Sequence, residues 1–167
     1  MSLTMMNVTG GRPAPSWLRE LADARSVYEE TLGWPVSLQV GRRSLVVAAG
    51  EVLDAVAMPA SLGARVRREL EMMMLDGPII ANPDGTRWTF LMQPVGGIRG
   101  DVATELLDLG VHLAPDNAYV VIPTNSVAAG NTWRWVAKPD AARALPSAYA
   151  VVGVVRRLTG EAFARGA

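Results

Sequence analysis

Residues 78–93 read PIIANPDGTRWTFLMQ, and this stretch decides the fold class. Two apolar, β-prone runs flank Asn82-Pro83-Asp84-Gly85. That quartet has the chemistry of a tight turn: proline presets φ, the Asn and Asp side chains bond nearby backbone, and glycine accepts a positive φ. The spacing predicts strands over 78–81 and 86–93 joined as a hairpin, and so antiparallel pairing. Toward the N-terminus, residues 62–75 repeat apolar side chains at helical spacing (Leu62, Val66, Leu70, Met73, Met74), with Arg65, Arg67, Arg68, Glu69 and Glu71 outward and Ser61 placed to cap. Before that helix come three short strands, over 52–57, 44–49 and 36–40, the last two joined by a turn at Gly41-Arg42-Arg43. The first helix is predicted to start from Ser16 as N-cap, to run through Trp17, Leu21, Ala24, Val27, Tyr28 and Leu32, and to stop at Gly33.

Beyond the hairpin, a glycine-rich loop at 96–100 precedes a helix over 101–109. Strands over 111–113 and 118–122 flank Pro115-Asp116-Asn117 as a second expected hairpin, a Gly/Ser/Asn loop leads to a strand over 133–136, and an apolar helix covers 146–158. That helix is apolar on most sides, which predicts an interior element. The order fits an α+β single domain with a mainly antiparallel mixed sheet and packed helices, not a doubly wound parallel sheet. Residues 1–15 are expected to be a flexible arm, 16–160 the domain and 161–167 a tail.

Composition narrows the function classes. A chain of 167 residues is one domain's worth, half of them hydrophobic and 19% charged. Sixteen Lys and Arg balance sixteen Asp and Glu, which excludes binding to nucleic acid or anionic membrane by bulk charge. No cysteine and one histidine exclude disulfides, thiol nucleophiles and Cys/His zinc sites. No apolar run reaches the roughly 18 residues of a membrane span, and no leader pattern opens the chain, so a cytoplasmic protein with no membrane contact is expected. Oligomeric state is not legible.

Most generic motifs are absent. There is no GxxxxGK[ST], and Gly96, Gly97 and Gly100 do not follow GxGxxG. His112, the single histidine, is expected to be packed or at the surface, and Met72, Met73 and Met74 to fill the core. The arginine clusters 42–43, 65–68 and 156–157 are expected to be solvated faces. Trp133 and Trp135 alternate with Arg134 along one strand, which puts both indoles on one face. Such a pair either packs on a sheet or stacks bases.

Laid in order, several blocks of the chain resemble the bifunctional DNA primase/polymerase N-terminal (prim-pol) domain of the archaeo-eukaryotic primase superfamily, in a short, actinobacterial-type form. Residues 28–36 (YEETLGWPV) look like its opening helix and Gly-Trp-Pro-Val turn. Residues 52–56 (VLDAV) sit where it has a strand carrying Asp-x-Asp, and 84–91 (DGTRWTFL) where it has Ser-Gly-Gly-x-His and a strand, with Pro94 after it. Residues 110–113 (GVHL) and 116–123 (DNAYVVIP) look like the segment with the third acid and the Gly-Gly-Tyr-Val-Val-x-Pro-Pro block, and 133–135 (WRW) like the closing strand. The resemblance covers about 27–158.

The family's chemistry is nucleotidyl transfer, with carboxylates holding divalent metals at the triphosphate. Carried over residue by residue, Asp54 matches the first acid and Val56 replaces the second. Trp88 stands at the nucleotide-contacting histidine, and His112 stands at the third acid. Valine is no Mg²⁺ ligand and imidazole a poor one. The resemblance therefore implies a catalytically degenerate, primase/polymerase-like module that binds a protein partner, or weakly binds nucleotide or single-stranded nucleic acid, with Arg87 and Arg134 as the nucleic-acid contacts. No cofactor is expected, and Asp54 is the one candidate metal ligand. The alternatives are an active, divergent primase/polymerase whose Mg²⁺ or Mn²⁺ is held by Asp54 with Asp84 or Asp116, and an unrelated α+β interaction domain.

Overall fold

The computed structural model describes residues 11–124 and 132–165. Residues 1–10 of the expected arm, residues 125–131 of the expected Gly/Ser/Asn loop, and the last two residues of the expected tail lie outside that description. Helix α1 (Ser16–Leu32) is capped by Pro15, whose carbonyl accepts the N–H groups of Leu18 and Arg19, so Ser16 is the first helical residue and not the cap. Gly33 ends it at φ 69° with its N–H on Glu29 O. Strands β1 (Val36–Gln39) and β2 (Ser44–Ala48) are joined by a short 3₁₀ turn. Strand β3 (Asp54–Pro59) runs directly into α2 (Ala60–Met72), where Pro59, not Ser61, holds the N-cap position. Strands β4 (Ile79–Ala81) and β5 (Arg87–Met92), helix α3 (Arg99–Asp108), strands β6 (His112–Leu113), β7 (Tyr119–Ile122) and β8 (Arg134–Ala137), and helix α4 (Ala148–Arg165) complete the domain. Helix α4 passes residue 160, so it occupies most of the expected tail.

The domain is α+β, built on two sheets: β1-β2-β7, and β6-β3-β5-β4-β8, with antiparallel pairing throughout both. The expected α+β single domain with mainly antiparallel pairing is what forms, its strands divided between two sheets. The 78–93 hairpin forms as its turn chemistry requires, with Gly85 at φ 73° and its N–H on Asn82 O at 2.9 Å. The expected hairpin at 111–122 does not form. β6 pairs with β3 in one sheet and β7 with β2 in the other, so Pro115-Asp116-Asn117 carries the chain between sheets. A turn sequence specifies a change of direction; it does not specify that the strands on either side become partners.

Side-chain alternation sorts the five-stranded sheet into two cores. Val56, Met58, Ile79, Phe90, Met92 and Leu113 face α2, α3 and α4, where they meet Val66, Leu70, Val102, Leu106, Val151 and Val155. Ala55, Ile80 and Leu91 face the other way, onto Leu45, Val47, Val120 and Ile122 of the three-stranded sheet and Leu21 of α1. Helix α4 is one of three helices in an outer layer and not the interior element expected: Val151 to Leu158 are buried on one side, while Tyr149 is 86% exposed and Arg156 and Arg157 form surface ion pairs. The methionine expectation is also corrected. Helix α2 stops at Met72 and Met74 takes φ 56°, which breaks the helical period and leaves Met72, Met73 and Met74 exposed. Met58 and Met92 are the methionines in the core.

Tyr28 stitches α1 to the strands beyond it. Its hydroxyl donates to Pro123 O at 2.6 Å and accepts the Trp135 Nε1–H at 3.0 Å, and its ring stacks on Trp34. Tyr28→Phe is expected to cost about 1–3 kcal/mol in urea unfolding, the net worth of two partly buried hydrogen bonds. Burial raises the Tyr28 pKa above the ordinary tyrosine value, with the Trp135 hydrogen bond acting the other way. The neutral form is favoured on folding, so Tyr28's contribution is present below about pH 10 and is lost as pH climbs through the raised pKa. The Phe variant should lack that alkaline sensitivity.

Candidate functional site

Asp54 opens β3 opposite Met92, so its side chain points into the helix-facing layer, where it is fully buried. Both carboxylate oxygens are engaged. Oδ2 accepts the Val95 N–H at 2.7 Å, and Oδ1 accepts from Nη2 of Arg99. The other arm of that guanidinium donates to Ala114 O at 2.6 Å. The residues before α3 are what deliver both donors: a 3₁₀ turn at Gly96–Ile98 runs straight into the helix that begins with Arg99. Arg99 therefore stands at the corner where the chain twice crosses between sheets. Backbone bonds tie the two crossovers together: Ala49 N–H donates to Ala118 O at 2.8 Å, and Ala49 O accepts the Asn117 N–H at 2.9 Å. Gly50 (φ 106°) lies beside the same guanidinium: a Cβ there would fall 3.1 Å from Arg99 Nη2 and 1.9 Å from Asp116 Oδ1. The expected glycine-rich loop at 96–100 is thus structured by an ion pair.

The other positions singled out in the sequence do not join Asp54. Val56 lies two residues along on the same face and is buried in the helix-side core. Trp88 is on that face as well, pressed against Gly63 of α2, but pairs with Met58 at the far end of the ladder. Four residues of strand separate it from Asp54, or about 13 Å. His112 pairs with Ala57, whose side chain alternates to the opposite face, and it is exposed there. Asp84 sits on the β4–β5 turn, at the Trp88 end, where Thr86 donates to it through both hydroxyl and N–H and holds its carboxyl below the ordinary range. Asp116 alone comes near this end, its Oδ1 and the Arg99 Nη2 both bordering the position a Gly50 Cβ would take. Among the described residues no three His, Asp or Glu side chains group as metal ligands.

Arg87 and Arg134 part company too. Arg134 pairs with Ala81, on the Trp88 side, and lies exposed over the 82–85 turn. Arg87 is on the other side, half-buried, and reaches across β3 to donate to Ala57 O at 3.4 Å. Trp133 and Trp135 do share a face, packed against the inter-sheet core, and the Trp135 indole is committed to Tyr28. In the remaining arginine clusters three side chains are ion-paired at the surface, as Arg67–Glu71, Arg157–Glu69 and Arg156–Glu105, the last holding the Glu105 carboxyl below its usual range, while Arg43 lies over the Trp17 ring.

One arrangement is not visible in the sequence. The inter-sheet face of the five-stranded sheet is covered at Ala55 and Leu91, and opens one step further along β3 and β5 at Ala57 and Thr89, with buried Ile80 beside Thr89 and half-buried Asn82 beyond it. There His112, Ala57 and Thr89 form one row across β6, β3 and β5, with the Arg87 guanidinium beside the Ala57 carbonyl. Period-two alternation marks 55, 57, 87 and 89 as a set within each strand. Only the β3–β5–β6 register brings His112 to them. Two clefts lie elsewhere, one of about 270 Å³ between the end of α1 and residues 137–145, the other of about 280 Å³ between α3 and α4. Among the described residues no helix is long and apolar enough to cross a membrane. Comparison of the chain with protein-family models, with curated proteins and with solved structures finds no match.

Proposed function

We propose that the chain is a non-catalytic, primase/polymerase-like module that acts by binding single-stranded nucleic acid or nucleotide, its one family-matching acid having become a structural clasp. The observation that carries this is the state of Asp54: fully buried, with one oxygen on Val95 N–H and the other on Arg99. A metal ion there would have to displace a guanidinium from a buried carboxylate, leaving Arg99 to find new partners at a cost of several kcal/mol. Val56 cannot ligate, and His112 is on the far side of the sheet. Asp84 belongs to the distant turn, and Asp116 is exposed on the crossover after β6, while Asp54 is already held by Arg99. These placements weigh against the active-polymerase alternative. In its place the open sheet end offers hydrogen-bond donors, which suit a phosphate.

A protein partner is the second reading, and the exposed run Met72, Met73, Met74 and Leu75 favours it, since four consecutive apolar residues at the surface are unusual in a chain that works alone. Primer extension separates binding from synthesis. A primed template with Mg²⁺ or Mn²⁺ is expected to give no extended product with the wild-type chain. Metal-dependent extension that disappears in a folded Asp54→Asn variant would overturn the proposal.

A further inference from the structure

We infer that the open end of the five-stranded sheet is a phosphate oxyanion site made by Arg87, Thr89 and His112, with the Ala57 methyl as its floor. The inference rests on the binding-module reading above and names its ligand chemistry and residues. Strand register puts His112, Ala57 and Thr89 side by side on one face, and the Arg87 side chain crosses β3 to anchor on Ala57 O. Three donor-bearing side chains thus surround a residue that projects only a methyl group.

Their donors are unfilled. Six arginines (25, 67, 99, 143, 156 and 157) each hold a carboxylate, whereas Arg87 has none among the described residues and keeps only the long bond to Ala57 O. A half-buried guanidinium without an anion carries a desolvation cost that a phosphate oxygen would relieve. The Thr89 hydroxyl and the His112 ring have no protein partner among the described residues either. Among the described strand residues on this face none is acidic. Besides the site itself they are Ala55, Pro59, Leu91, Ile80 and Trp135, with Asn82 and Trp133 just beyond the strand ends, and the carboxylate on the adjoining turn, Asp84, is turned onto Thr86. The planar fork of Arg87 fits two phosphate oxygens at once, with Thr89 and an imidazole N–H supplying a third and fourth bond.

His112 is the chain's single histidine, so its imidazole proton resonances report on the site without assignment ambiguity. The wild-type chain is titrated, at matched ionic strength, with inorganic phosphate, with a deoxythymidine mononucleotide, with a ten-residue oligo-dT, and with sodium chloride as the null. Saturable movement of the His112 resonances with the phosphate-bearing ligands, and none with chloride, is expected. Arg87→Ala and Thr89→Val should weaken the apparent affinity about tenfold or more for the arginine and less for the threonine. Arg87→Lys, which keeps the charge and packing stem but loses the fork, should fall between. Oligo-dT binding far tighter than phosphate identifies a nucleic-acid backbone as the source, and equal affinity per phosphate identifies a small phosphate ester. Unmoved His112 resonances, or movement identical in folded Arg87→Ala, would overturn the site. That failure is distinct from failure of the binding-module reading, which is judged by extension product in the polymerase assay on the same sample.

Discussion

Arg99→Met is expected to lower the unfolding free energy by about 3–5 kcal/mol, the usual result of stripping one partner from a buried ion pair. Asp54 has no exposure, while the Arg99 side chain keeps 17% of its own, so the two ends of the pair are unequal. Removing the arginine leaves a buried carboxylate with one backbone donor. Asp54→Ala instead leaves a guanidinium that still holds Ala114 O and touches water, and it should cost clearly less than Arg99→Met. The double variant should recover part of the loss, because the uncompensated charge goes with its partner. Equilibrium urea unfolding of the four proteins gives the cycle directly. A loss under about 1 kcal/mol for Arg99→Met would mean that solvent reaches Asp54. The buried ion pair at Asp54 would then no longer weigh against metal binding there.

The fold was legible wherever local chemistry decides it. Residues 82–85 carry turn chemistry and form the turn; Gly33 and the apolar stripe of α1 mark the helix that forms; and the alternating runs become strands with boundaries shifted by a residue or two. What escaped are choices among distant partners. Whether 118–122 pairs with 111–113 or with β2 is settled by which sheet has a free edge, and nothing within five residues of Asn117 encodes that. The capping serines failed for a related reason: Pro15 and Pro59 already fix the entry φ, and the helix starts at once, leaving Ser16 and Ser61 inside. The methionine run failed because the helical period was extended past the point where Met74 turns left-handed.

Site residues suffered from face parity. Asp54, Val56, Trp88 and His112 were aligned by chain order, yet a strand shows alternate residues to opposite sides, and a difference of one residue is the difference between core and surface. The row that does meet solvent uses Ala57 and Thr89, each one position removed from a residue singled out in the sequence, with Arg87, which was singled out, beside it. His112 keeps its place only because Ala57, and not Val56, is its neighbour. Arg99 was missed outright. In the sequence it is the one charge in a glycine-rich loop, and its role depends on Asp54 being 45 residues away.

Gly50→Ala is the second large effect, and it divides into two parts that can be measured apart. At φ 106° an L residue is strained, by about 1–3 kcal/mol. A Cβ built on Gly50 would also fall 1.9 Å from Asp116 Oδ1 and 3.1 Å from Arg99 Nη2. The first approach is impossible without movement, but Asp116 is an exposed side chain with room to turn outward. The second is a tight contact with a guanidinium pinned by Asp54 and Ala114, which has nowhere to go without loosening the clasp. The total is therefore expected to reach about 3 kcal/mol or more. In an Asp116→Ala background, itself near neutral, the same substitution should lose only the part owed to Asp116, and most of the cost should persist. In an Arg99→Met background the residual cost should shrink toward the backbone strain alone. If instead Asp116→Ala rescues Gly50→Ala fully, the crowding belongs to the surface carboxylate, and Arg99 has more freedom than a clasp between two sheet crossings allows.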